Sequence, residues 1–156
     1  MEGAQTTVDA DASALSARLT TTGHAEGALF GGNLEMLARS VGVVDLDLAG
    51  RIFLLEINRA AGLGMVDRAL TQLRYSGALD GVAGVALGSI HQFAGYEDRG
   101  WTILDTLRDH LDALGVPVLG GLPLGHIEDL VTVPLGTHAV LDVDHGRLIT
   151  SAPSGR

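Results

Sequence analysis

The segment Arg51-Ile52-Phe53-Leu54-Leu55-Glu56 sets four consecutive large apolar residues between an arginine and a carboxylate. An uninterrupted run of that length matches a strand buried on both faces. Such a strand needs a layer on each side, which points to an α/β fold. The sequence around it supplies the other parts. Val66, Ala69, Leu70 and Leu73 fall on the i, i+3, i+4, i+7 template of a core-facing helix, and Gly77 is a natural stop. Gly81–Leu87 (GVAGVAL) predicts a second short buried strand. Trp101, Leu104, Leu107, Leu111 and Leu114 predict a second amphipathic helix that ends at Gly115, with Trp101 in its core stripe. Val116-Pro117-Val118-Leu119 restarts as a strand, and Pro117 favours its beginning or an edge.

Upstream, Gly31-Gly32-Asn33 reads as a turn and an Asn cap leading into a short helix faced by Leu34, Met36, Leu37 and Val41. Downstream, Leu130–Val133, His138–Val143 and Arg147–Ser151 read as short strands separated by turns. Alternating strands and helices imply right-handed crossovers and parallel pairing. The expected fold is therefore one small α/β domain over residues 23–152, a mostly parallel sheet flanked by helices with an appended C-terminal β-hairpin. Residues 1–22, rich in Ala, Ser, Thr and Asp, read as a loose arm with one short helix around Leu15 and Leu19. Residues 153–156 read as a tail.

Composition removes several classes of function. A net charge of -9 repels phosphate backbones, so nucleic acid is not an expected partner. With no cysteine, the chain has no disulfide, no thiolate metal site and no cysteine nucleophile. Its six histidines show neither H-x-x-x-H nor H-E-x-x-H spacing, so neither a metal nor another cofactor is expected. The N-terminus lacks the basic start and apolar stretch of a secretory signal, and no run approaches the ~20 apolar residues of a membrane span. A cytoplasmic, membrane-free protein is expected.

Two polar residues stand where apolar sequence stops: Glu56 after Ile52–Leu55, and His126 after Gly120-Gly121-Leu122-Pro123-Leu124-Gly125. In open α/β sheets ligands gather beyond the carboxyl ends of the strands, which makes both candidates for a site. The plain alternatives are a solvated or capping glutamate and a loop histidine. Asn33 reads as a helix cap. Asp67 and Arg68 begin the first long helix, and Arg68 reads as a structural salt-bridge residue in preference to a carboxylate clamp.

GHAEGALFGGNLEML, GRIFLLEIN, VDRALTQLRYSGAL, GVAGVALGSI, RGWTILDTLRDHLDALGVPVLGGLPLGH and VPLGTHAVLDVD follow one another between about Gly23 and Asp142. In this order they resemble the C-terminal domain of the LD-carboxypeptidase family, which includes murein tetrapeptide carboxypeptidases and microcin C self-immunity proteins. The resemblance implies a two-domain serine peptidase with a Ser-Glu-His triad. Its glutamate falls on Glu56 and its histidine on His126, and Asn33 lies in a family motif, which implies a contact to substrate or to the other domain as an alternative to the capping role. The nucleophilic serine would sit on a sharp turn in an N-terminal domain, and no G-x-S-x-G occurs in this chain. Of the seven serines, Ser89, directly after a strand, is the one outside candidate. The implied partners are a nucleophile domain, in cis or in trans, a peptide substrate with a terminal D-amino acid, and a second copy in a homodimer. The competing reading is an orphan binding or assembly domain that keeps the fold without the reaction.

Overall fold

A computed structural model describes residues 5–58 and 62–152. Its centre is a seven-stranded sheet built from β1 (Thr6–Asp9), β2 (His24–Asn33), β3 (Ile52–Asn58), β4 (Gly84–His91), β7 (Val118–Leu119), β8 (His138–Asp142) and β9 (Arg147–Thr150), in the order β1-β9-β8-β2-β3-β4-β7. A two-residue ribbon, β5 (Glu97–Asp98) with β6 (Trp101–Thr102), stands apart from it. Strands β2, β3, β4 and β7 are parallel, and the β8–β9 hairpin joins the sheet antiparallel to β2. The parallel sheet with an appended C-terminal hairpin is thus the fold that forms.

Strand β3 shows why Ile52–Leu55 carries no polar break. Phe53, Leu55 and Ile57 belong to one core cluster, Ile52 and Leu54 to another on the opposite face. The first cluster takes the buried residues of α1 (Leu34–Ser40), α2 (Gly62–Tyr75) and α3 (Ile103–Asp112). Leu122 and Leu124, together with Ala139, Leu141 and Leu148 of the hairpin, close the second. Removing a large side chain from either layer costs about 2–5 kcal/mol, so strand β3 is held from both sides.

Four expectations are corrected. The first segment is not a loose arm, because Thr6–Asp9 pairs antiparallel with β9 and Leu15–Leu19 forms a 3-10 helix packed over β4, β7 and α3. The glycines before Asn33 are not a turn. Strand β2 runs through them, pairing Gly31 with Leu54, Gly32 with Leu55 and Asn33 with Glu56. Trp101 is not core: it is 56% exposed in β6, one residue before the N-cap of α3. The Thr102 hydroxyl and the Asp105 carboxylate form a reciprocal capping box that starts the helix at Ile103 and leaves Trp101 outside. Leu130–Val133 is a loop, with Val131 and Val133 packed loosely on the second cluster.

Candidate active site

The parallel strands all deliver their carboxyl ends to one edge of the sheet. Register places Asn33, last in β2, beside Glu56 of β3. Between β3 and β4 the register slips: Leu55 pairs with Leu87 and Ile57 with Ile90. Gly88 and Ser89 therefore share the place opposite Glu56. A bulge of this kind bends the strand and re-aims side chains. The loop after β7 returns across this edge with Gly125 and His126.

Glu56 is buried, with its side chain 11% exposed, and both carboxylate oxygens are occupied. Asn33 Nδ2 donates to Oε1 at 3.0 Å, and His126 Nδ1 lies 2.9 Å from Oε2. The orientation of the Asn33 amide follows from its second duty. Asn33 Oδ1 accepts the backbone N–H of Glu35 and of Met36, capping α1, so the NH2 group faces Glu56. A carboxylate facing Nδ1 fixes the tautomer of His126, with the proton on Nδ1 and the lone pair on Nε2. The His126 side chain is 56% exposed, so Nε2 is open to an incoming group. The His91 ring, at the end of β4, stands 6.3 Å from that of His126.

Gly125 is the hinge of this arrangement. Its φ of +103° is a conformation that disfavours side chains, and a Cβ there would lie 2.6 Å from Ser89 Oγ and 2.9 Å from Glu56 Cβ. Further back, the Gly120 and Gly121 backbones lie against the first segment. Asp11 donates its N–H to Gly121 O at 2.8 Å, and the Ser16 hydroxyl accepts the N–H of Gly121 at 3.0 Å. The segment read as a loose arm is therefore a brace on the loop that carries His126.

Asn33, Glu56 and His126 come together at this edge. Both polar atoms of Asn33 are engaged within the domain, so the cap and the site contact are one arrangement. Asp67 pairs with buried His110 of α3 at 2.9 Å, while Arg68 reaches Met65 Sδ, also at 2.9 Å. Asp67 is thus hydrogen-bonded to His110, and the salt bridge expected of Arg68 does not form among the described residues, because its guanidinium is turned to Met65 on its own helix. The described residues contain no group of three or more His, Asp or Glu side chains arranged to hold a metal ion. No helix among them is long and apolar enough to cross a membrane.

Residues 26–141 match the family described as the LD-carboxypeptidase C-terminal domain. The chain belongs to the LD-carboxypeptidase family. The match of this LD-carboxypeptidase domain extends to individual proteins. It is 41% identical over 133 residues to a Streptomyces coelicolor protein classed as a carboxypeptidase, covering 85% of this chain and 42% of that one. It is 30% identical over 128 residues to the microcin self-immunity protein MccF of Escherichia coli, covering 80% of this chain and 36% of that one. The crystal structure of a muramoyltetrapeptide carboxypeptidase from Oxalobacter formigenes superposes with a TM-score of 0.75 at 28% identity, over 97% of this chain and 51% of that chain. This LD-carboxypeptidase domain thus spans about half the length of its relatives, or less.

Proposed function

We propose that this domain supplies the histidine and glutamate of a serine LD-carboxypeptidase, which removes a terminal D-amino acid from a cell-wall-type peptide, and that a second domain supplies the serine. The observation that carries the reading is the 2.9 Å contact between Glu56 Oε2 and His126 Nδ1, with Nε2 left toward solvent. An alcohol is a poor nucleophile until a neighbouring imidazole takes its proton. In the proposed reaction His126 Nε2 accepts the serine proton as Oγ attacks the scissile carbonyl. The imidazolium, held by Glu56, then returns that proton to the leaving amine. Water resolves the acyl-enzyme by the same route. Asn33 holds Glu56 and keeps a second amide hydrogen for substrate. The oxyanion donors, like the serine, belong to the partner domain.

Ser89 fits a nucleophile poorly. Its oxygen accepts a backbone N–H, and no hydrogen bond joins it to the His126 ring among the described residues. The test is to mix or fuse this chain with the N-terminal domain of a family member and assay release of D-alanine from an LD-tetrapeptide. Activity is expected in the mixture and in neither part alone, falling by about 10⁴-fold or more in His126→Ala. Docking is checked separately by sedimentation. A docked complex without hydrolysis would refute the enzymatic reading and favour an orphan binding domain.

A further inference from the structure

Ser89, the one outside candidate for a nucleophile, takes a different place in the geometry of the site. The bulge in β4 sets Gly88 and Ser89 opposite Glu56 and turns both toward the His126 loop. Gly88 has no room for a side chain, since a Cβ there would meet Leu124 O at 2.6 Å. Ser89 then grips that loop at two points. Its N–H donates to Leu124 O at 2.8 Å, and its hydroxyl oxygen accepts the N–H of His126 at 3.1 Å. The two contacts straddle Gly125, which sits at a φ of +103° that few residues with a side chain adopt.

We propose that Ser89 is a positioning residue for His126, fixing the backbone of that histidine so that its imidazole meets Glu56; this rests on the reading of His126 as the general base. The need for such a grip follows from exposure. The His126 side chain is more than half exposed, and residues 127–130 after it are exposed too, so packing does little to hold the ring. A hydrogen bond to the Glu56 carboxylate holds the ring only while the backbone beneath it stays in place. Catalytic groups depend on this kind of support, and a misplacement of about 1 Å costs about 100-fold in rate.

The test compares Ser89→Ala, which loses the acceptor, with Ser89→Thr, which keeps it. Two quantities are read: solvent exchange of the His126 Nδ1 proton in the ¹⁵N-labelled chain, and kcat with KM for the chain complemented by a family N-terminal domain. Ser89→Ala is expected to speed the exchange about tenfold or more. It should also lower kcat about 10- to 100-fold with KM nearly unchanged. The buried His110 signal should not move, and Ser89→Thr should restore most of both losses. Should Ser89→Ala fail to fold, Ser89→Cys keeps the shape with a weak acceptor and should show the same losses. Wild-type exchange and kcat in Ser89→Ala, or equal losses in Ala and Thr, would overturn the proposal. If the complemented chain hydrolyses nothing, exchange in the chain alone still decides: faster exchange supports Ser89 even as the catalytic reading fails, and unchanged exchange rejects it.

Discussion

Glu56→Gln is the substitution whose outcome the site geometry dictates most closely. Glutamine keeps the size of glutamate and could keep both hydrogen bonds, but its two ends are no longer alike. Asn33 presents an NH2 group because its oxygen is committed to the N–H groups of Glu35 and Met36. The carbonyl of Gln at position 56 must face that NH2, which turns its own NH2 toward His126. Nδ1 then has to accept, and the ring proton moves to Nε2, the nitrogen that receives the serine proton in the proposed reaction. Stability should change by only about 1 kcal/mol, since two hydrogen bonds are retained. Catalysis should fall about 10⁴-fold in kcat, as for other carboxylate-to-amide changes behind a catalytic histidine. That corresponds to roughly 5 kcal/mol of transition-state stabilisation. The chain alone suffices for the direct assay, because ¹⁵N shifts of the imidazole report which nitrogen carries the proton. The wild type should show the proton on Nδ1 and Glu56→Gln on Nε2. In Asn33→Leu/Glu56→Gln the glutamine is free to flip and the wild-type tautomer should return in part. A Nδ1 proton that persists in Glu56→Gln would refute the reasoning.

Two further outcomes concern the frame around the site. Ser16→Ala should cost about 1–3 kcal/mol in urea unfolding, because it leaves the buried N–H of Gly121 unpaired. Hydrogen exchange should show the loss concentrated at Gly120–Gly121 before the rest of the sheet. In the capping box of α3, the hydroxyl of Thr102 and then its backbone N–H hold the Asp105 carboxyl below the usual carboxylate range. A lowered folded-state value means that this contribution is present above the unfolded pKa and is lost as pH falls through the folded one. Thr102→Val should therefore lower the urea midpoint at neutral pH and flatten its decline on acidification. A parallel decline in both proteins would contradict the assignment.

The parts of the fold that were legible in the sequence are those with enough apolar residues to show a period. The Ile52–Leu55 run, the stripe from Val66 to Leu73 and the hairpin after His138 are of this kind. Strand β1 has one buried residue, Val8, in Thr6–Asp9, which leaves no alternation to read. Leu130–Val133 has the alternation but pairs with no strand of the sheet, so it stays a loop. Trp101 was misplaced because an apolar stripe continues past a helix start. The Thr102-x-x-Asp105 pattern one residue later was the signal for that start. At the site, Glu56 and His126 were visible as residues that interrupt apolar sequence, and their order within the family pattern singled them out. The parts played by Ser16 and Ser89 were not visible, because both act on backbone N–H groups far along the chain, contacts that depend on register and bulge.

The arrangement has one consequence for how a split catalytic centre can work. A buried carboxylate without partners is costly, so a half-site exposing only Glu56 would pay a penalty until its partner docked. Here the penalty is met inside the domain. Asn33 and His126 satisfy both oxygens of Glu56, Ser89 and the Ser16 brace hold the loop that brings His126, and the N-cap of α1 orients Asn33. The glutamate and histidine are therefore assembled within this domain alone. On the proposed reading, the second domain has only to set its hydroxyl and oxyanion donors against His126 Nε2. The ordering cost of docking then falls on the interface instead of on the base and the carboxylate that orients it.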